Sequence, residues 1–410
     1  MQFREYQKEI IDKGTDIIRN NGFLYLTMEV RTGKTLTSLG IANKLNCQDV
    51  LFVTKKKAMS SISKDYDMLC PNSFSLFIIN YESIHKIPNI KWDMIILDEA
   101  HTLGAFPKPS KRAKQVKELI SKTESFVCLL SGTPTPESFS QMYHQVYGIP
   151  TNPFKEFKNF YRFADKYVRV KNRIINSLRI NDYSHGLESI INEMQPYTIS
   201  YSQKDAGFEN VIEEEVLYVQ MKPLTYVIAN DLKQDKVFEG SEEVVLGDTP
   251  AKLMQKLHQI YSGSVKFESG NSMVLDMSKA EFIRQHFEGK KIGIFYKFKE
   301  ELNALKSTFG DDLCTELSVF EDTSKSIALQ IVSGREGISL RQADALVYYN
   351  IDFSATSYWQ SRDRMTTKDR LHSKVYWIFS QGGIEKDIYK AVSKKKDYTV
   401  RHFKRDLLTL

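Results

Sequence analysis

Short apolar runs, each closed by polar or turn-forming residues, alternate along the chain with longer segments whose apolar positions return every three or four residues. In the first third the runs are FLYLT (23–27), VLFVT (50–54), FSLFIIN (74–80), MIIL (94–97) and FVCLL (126–130). Runs of this length, alternating with polar-flanked, helix-like segments, predict the strands of a parallel βα sheet. A first α/β lobe is therefore expected over residues 1–148.

The pattern changes after residue 148. In FKEFKNFYRFADKYVRVKNR (154–173) aromatic residues recur at three- and four-residue spacing among lysines and arginines, which predicts helix. Residues 149–270 are read as a helical insert and linker. They include a β-like run EEEVLYVQM, a polar stretch at 235–249 expected to be mobile, and a helix LMQKLHQIY. A second set of runs, at 291–295, 313–317, 327–332, 345–350 and 375–379, predicts a second parallel α/β lobe over 271–410. The expected fold class is α/β, with two RecA-like parallel-sheet lobes in tandem and a helical insert between them.

Three motifs sit at strand ends, where ligands bind in open α/β sheets. The first strand leads into MEVRTGKT (28–35), so backbone N–H groups and a helix N-terminus are available to phosphate oxygens. Lys34 would reach the β- and γ-phosphates of ATP. The Thr35 hydroxyl and the Asp98 carboxylate would hold magnesium, and Glu99 of the DEAH stretch (98–101) would orient and deprotonate the attacking water. SGTP (131–134) closes the next strand. Met28 replaces the first glycine of the usual G-x-x-x-x-G-K-T pattern.

Composition narrows the class. A chain of 410 residues with 57 lysines and arginines against 51 acidic residues, a formal net charge of +6, is long enough for two or three domains and suits a polyanionic partner. No apolar run approaches a membrane span, and no secretory signal opens the chain, so a cytoplasmic, monomeric protein with no membrane partner is expected. Cys47, Cys70, Cys128 and Cys314 are widely spaced without C-x-x-C pairing, which predicts reduced, buried thiols rather than a disulfide or zinc framework.

Taken in order, GKT, DEAH and SGTP, with REYQKEII (4–11), LFVTKKK (51–57), INYESI (79–84), SKAEFIRQHFEGKKIGIFYKFKEEL (278–302) and IVSGREGISLRQADALVYYNIDFSATSYWQSRDRM (331–365), resemble the motif series of superfamily-2 helicases. The later motifs resemble the Swi/Snf-like DNA translocase group, in a compact, phage-type form. The resemblance implies a DNA-dependent ATPase that moves along duplex, branched or single-stranded DNA, in the host cytoplasm if phage-encoded, with a replication or recombination protein as a further partner. A strand-separating DNA or RNA helicase, or a nucleic-acid clamp with little hydrolysis, are the alternatives.

By position, the resemblance assigns Gln7 to the adenine, and Arg31, Thr32, Gly33, Lys34, Thr35, Gly337 and Arg362 to the nucleotide. His101, Ser131 and Thr133 couple phosphate state to lobe movement, and Arg364 stabilises the transferring phosphoryl group. Thr54, Lys55, Lys56, Asn80, Tyr81 and Ser333 are assigned to nucleic acid. Two departures stand out: Arg31 where the family has glycine, and Thr367 where it has a second arginine, a charge that Arg362, Lys368 or Arg370 could supply.

Overall fold

The computed structural model describes residues 3–69, 74–175, 178–207, 211–240, 242–334, 339–365, 370 and 372–394. The chain forms two units, Met1–Phe208 and Glu209–Leu410, each built on a six-stranded, wholly parallel sheet. The fold class expected from the sequence is the one observed.

In the first unit the strands are β1 (Phe23–Met28), β2 (Asp49–Thr54), β3 (Ser75–Asn80), β4 (Met94–Leu97), β5 (Phe126–Leu130) and β8 (Thr198–Tyr201), while β6 (Lys171–Ile175) and β7 (Leu178–Asp182) form a separate antiparallel hairpin. The sheet order is β3-β2-β4-β5-β1-β8. Alternate residues of β1 feed two cores: Phe23 and Tyr25 pack with Leu51, Val53, Ile95 and Leu97 on one face, Leu24, Leu26 and Met28 with Phe52, Ile96 and Leu130 on the other. All are buried, which is why these strands read as continuous apolar runs.

Two expectations are corrected here. The boundary expected at 148 moves to about 208, because β8 pairs with β1, Tyr25 opposite Thr198 through Met28 opposite Tyr201. The expected insert is only partly helical. Helix Phe160–Tyr167 buries Phe160, Phe163 and Tyr167 against the first unit's core, but the β6–β7 hairpin and the short helix Ser189–Met194 follow it.

The second unit contains β9 (Val211–Val219), the small hairpins β10 (Val237–Glu239) with β11 (Val244–Leu246) and β12 (Ser264–Lys266) with β13 (Ser272–Val274), then β14 (Ile292–Tyr296), β15 (Leu313–Cys314), β16 (Ser326–Gln330), β17 (Ala345–Tyr348) and β18 (His372–Ser380). Its sheet order is β15-β16-β14-β17-β18-β9. The polar stretch expected to be mobile thus contains the β10–β11 hairpin, pinned by buried Val245. The strand expected at 313–317 ends at Cys314, and helix Leu317–Asp322 follows, because Phe320 turns into the core. Helix Pro250–Tyr261 forms as expected, with the Thr249 hydroxyl accepting from Lys252 N at 3.3 Å and proline in its first turn.

Candidate functional site

The end of β1, the loop 29–33 and helix Lys34–Lys44 form a compact turn in the first unit. Gly33 has φ +85° and Arg31 φ +65°. Arginine thus occupies the left-handed conformation that a glycine adopts freely, at a cost of about 1–2 kcal/mol, so the loop shape survives the departure. Replacing Gly33 would strain the backbone at this φ and push Gln7 aside, since a Cβ there would lie 2.4 Å from Gln7 Nε2. Gln7 is itself buried, its Oε1 accepting from Arg4 N at 3.0 Å.

The loop is braced from within and from outside. Thr32 donates its hydroxyl to Glu29 O at 2.7 Å and accepts at its own carbonyl from Tyr6 OH at 3.0 Å, so the Thr32 side chain, fully buried, serves the loop's shape. Tyr6 stacks on Tyr201, ring centres 4.6 Å apart. Just beyond β8, Gln203 donates its backbone N–H to the Glu29 carboxylate at 2.7 Å and its side-chain amide to Val30 O at 3.0 Å. Tyr6 was foreshadowed by its neighbour Gln7. Gln203 carries no linear signal, lying 173 residues from Val30.

Lys34 reaches back to Glu29 O at 3.4 Å. A Cβ placed on Gly132 would lie 3.6 Å from its Nζ and 3.4 Å from Met28 O, so the loop after β5 lies against the lysine. Asp98 and Glu99 follow β4 in the neighbouring position of the sheet. Burial, then the adjacent Glu99 charge, push the Asp98 carboxyl up to about 6, against a hydrogen bond from Thr54 that favours its ionised form. Glu99 takes φ +50°, a strained backbone of the kind that functional positions retain.

His101 joins this group to the next. Its Nδ1 lies 3.0 Å from Ser131 Oγ and 3.2 Å from Glu99 Oε2, and Ser131 Oγ accepts from Thr133 N at 3.1 Å. Thr133 Oγ1 is buried with no hydrogen-bond partner among the described residues. The loop is held from below by Gln145, which accepts from Tyr25 OH at 2.5 Å and donates to Pro134 O at 2.7 Å. Lys34, Thr35, Asp98, Glu99, His101, Ser131 and Thr133 therefore sit at the carboxyl ends of three adjacent strands, β4, β5 and β1.

The residues expected on nucleic acid divide. Thr54 is fully buried and donates to Asp98 Oδ2 at 2.7 Å, and Tyr81, also buried, donates to Asp98 O at 2.6 Å under the Arg112 guanidinium. Both face inward and shape the acidic motif, which is where their contacts place them instead of on a nucleic-acid surface. Lys56 and Lys57 are exposed and Lys55 half-buried; Asn80 Oδ1 is buried without a hydrogen-bond partner among the described residues.

In the second unit, Arg362 ends helix Ala355–Arg362, donates to Glu214 Oε1 at 2.6 Å and lies 4.3 Å over the Trp359 ring. These contacts are internal to the unit. Arg364 lies in the turn Asp363–Met365, where its carbonyl accepts from Leu340 N at 2.9 Å. Arg370 donates to Ala343 O at 2.7 Å and Arg341 O at 3.3 Å, so it ties down its own chain. Ser333 is in the short helix Ile331–Gly334, its side chain outside the described residues, as are Gly337, Thr367 and Lys368.

Residues 27–269, more than half of the 410, match the SNF2-related domain. The chain belongs to the SNF2-related family. A 117-residue stretch of this SNF2-related chain, 28% of its length, is 29% identical to RNA polymerase-associated protein RapA of Proteus mirabilis (strain HI4320), of which it covers 12%. Among solved structures, it is similar to the Sulfolobus solfataricus SWI2/SNF2 ATPase core domain, at 15% identity and a TM-score of 0.43, over 96% of this chain and 89% of that one.

The expectation of buried thiols is met at two of the three described cysteines. Cys47 and Cys128 are free and buried, Cys314 is free and half-buried, and Cys70 lies outside the described residues. Among the described residues no helix is long and apolar enough to cross a membrane, and no group of three or more His, Cys, Asp and Glu could hold a metal. Magnesium does not need such a cage: it takes one or two protein oxygens together with waters and substrate phosphates. One carboxylate and one hydroxyl fit it.

Proposed function

We propose that the protein is a magnesium-dependent ATPase stimulated by DNA, coupling hydrolysis to movement along duplex or branched DNA. The observation that carries the reading is the convergence of Lys34, Asp98, Glu99 and the His101–Ser131 pair at adjacent strand ends of the first unit. Membership of the SNF2-related family supports it.

In this reading the backbone N–H groups of residues 33–35 and the Lys34 ammonium bind the ATP phosphates. Thr35 and Asp98 hold magnesium, which neutralises developing phosphate charge when bound. Glu99 aligns the attacking water and takes its proton. The hydrogen bonds of His101 to Ser131, and of Ser131 to Thr133, give the site a route by which loss of the γ-phosphate changes the loop after β5. Arg364, by its motif position, stabilises the transferring phosphoryl group, a task suited to a fixed and always-charged fork. Lys55, Lys56 and Lys57 contribute phosphate contacts on the DNA side.

The test is ATP turnover without nucleic acid and with single-stranded DNA, duplex DNA, a fork and RNA. Stimulation by duplex or forked DNA that falls steeply with salt and varies little with base sequence is expected. Lys34→Ala and Glu99→Gln should each lower turnover by on the order of 10²-fold or more without unfolding the protein. Stimulation by RNA alone would replace this reading with an RNA helicase; DNA binding with little turnover in the wild-type protein would leave a nucleic-acid clamp, and wild-type-like turnover in either folded variant would overturn the site assignment.

A further inference from the structure

In the second unit a single carboxylate gathers donors from three other elements. Glu214 lies near the middle of the edge strand β9. The Tyr358 hydroxyl lies 2.9 and 2.8 Å from its two oxygens, Arg362 Nη1 donates to Oε1 at 2.6 Å, and Trp377 Nε1 donates to Oε2 at 2.9 Å, with Tyr389 OH at 3.4 Å. Its neighbours Glu213 and Glu215 are exposed. Only Glu214 turns inward.

The surroundings leave little freedom. Tyr358 and Trp377 are almost wholly buried and stack with ring centres 5.2 Å apart, and Tyr348 stacks on Trp377 at 3.9 Å. Trp359, on which the Arg362 guanidinium lies, donates to Val392 O at 3.1 Å. A desolvated charge adds little net stability even when paired. What a carboxylate with several charge-assisted and phenolic donors supplies is direction, since each bond restricts the others.

That direction is imposed on one helix. Tyr358 and Arg362 are one turn apart on helix Ala355–Arg362, so Glu214 fixes both its rotation and its end. The next residues are the turn that carries Arg364, closed by buried Met365 and by Leu340 N on the Arg364 carbonyl. We propose that Glu214 is a positioning residue for ATP hydrolysis: through Tyr358 and Arg362 it sets helix 355–362 and thereby the placement of Arg364. The proposal rests on the reading of Arg364 as the arginine that meets the transferring phosphoryl group. A misplacement of about 1 Å at such a group costs up to ~10²-fold in rate.

The experiment compares Glu214→Gln, Tyr358→Phe, Arg364→Ala and the double variant Glu214→Gln/Arg364→Ala in the full chain. Read-outs are kcat and KM for ATP with saturating duplex DNA, and the melting temperature. Glu214→Gln keeps an acceptor for Tyr358 and Trp377 but loses the charge that holds Arg362. We expect kcat to fall about tenfold or more and KM to change less than about twofold, with Tyr358→Phe in the same direction and smaller. The double variant should be no slower than Arg364→Ala. Wild-type kcat in folded Glu214→Gln and Tyr358→Phe, with Arg364→Ala inactive, overturns the proposal, as do losses that multiply in the double variant. Should Glu214→Gln not fold, Tyr358→Phe alone decides, by the same kcat criterion. If Arg364→Ala is itself fully active, the arginine reading fails, and that result is distinct from failure of Glu214.

Discussion

The Thr54 hydroxyl donates to Asp98 Oδ2 at 2.7 Å, across the neighbouring strands β2 and β4. Of the groups that favour the ionised carboxylate against burial and the Glu99 charge, this donor has the largest effect. Thr54→Val preserves the branched shape and deletes the donor. The Asp98 carboxyl should then hold its proton to higher pH, and magnesium-dependent turnover at neutral pH should fall about tenfold, the value of a hydrogen bond to a charged group. Thr54→Ser should retain most of the activity. A magnesium titration of ATPase rate for both variants checks this.

A pH dependence follows from the same group. Its carboxyl is raised to about 6 from an ordinary 3.8 by burial and Glu99, so the folded protein without metal binds this proton more tightly than the unfolded chain. Sign and window are then fixed: as pH falls from 6 to 4 this group adds stability to the metal-free protein, and that gain is absent above 6. Magnesium needs the ionised form, so its affinity must move the other way, weakening about tenfold from pH 7.5 to pH 5. Magnesium dependence of ATP binding at the two pH values is the measurement. An affinity equal at both would show that Asp98 is not the ligand.

Gln203 braces the loop 29–33 from outside, next to Arg31 with φ +65°. Gln203→Ala removes the bond to Val30 O and should weaken ATP binding about three- to tenfold, read by calorimetry or a fluorescent nucleotide. Lys204→Ala, an exposed neighbour, is the control. Equal affinities for the two variants would mean that the loop keeps its shape unaided.

These residues also show where the sequence was legible. β1, β2, β4 and β5 are buried on both faces, so their apolar runs announced them, and the chemistry followed because it sits at their ends. β8 was missed: at the edge of the sheet its residues TISY are half-buried or exposed, and nothing in four mixed residues distinguishes a strand. That omission moved the expected boundary by some sixty residues. The aromatic and basic segment misled for another reason. Its helical spacing is realised only over Phe160–Tyr167, and β6 and β7 beyond it have no strand-like alternation long enough to read. Thr54 and Tyr81 were assigned to nucleic acid from their motif positions, whereas which way a strand-end side chain faces is set by partners such as Asp98. Long-range braces, Gln203 on Val30 and Glu214 on Arg362, leave no linear trace at all.

Arg362 and Arg364, two residues apart, should separate by what their loss changes. Arg362→Ala strips a donor from Glu214 and a stacked guanidinium from Trp359. With both side chains of the ion pair mostly but not wholly buried, the cost should be about 1–3 kcal/mol, visible as a lower melting temperature, together with a partial loss of turnover. Arg364→Ala should lower DNA-stimulated turnover by roughly 10³-fold. ATP binding should survive in both, because the phosphate loop and the proposed magnesium ligands belong to the first unit. Thermal melts, nucleotide binding and steady-state kinetics on the same preparations resolve the three quantities. An inactive Arg362→Ala beside an active Arg364→Ala would shift the motif by two residues and make the Glu214 pair part of the catalytic group itself.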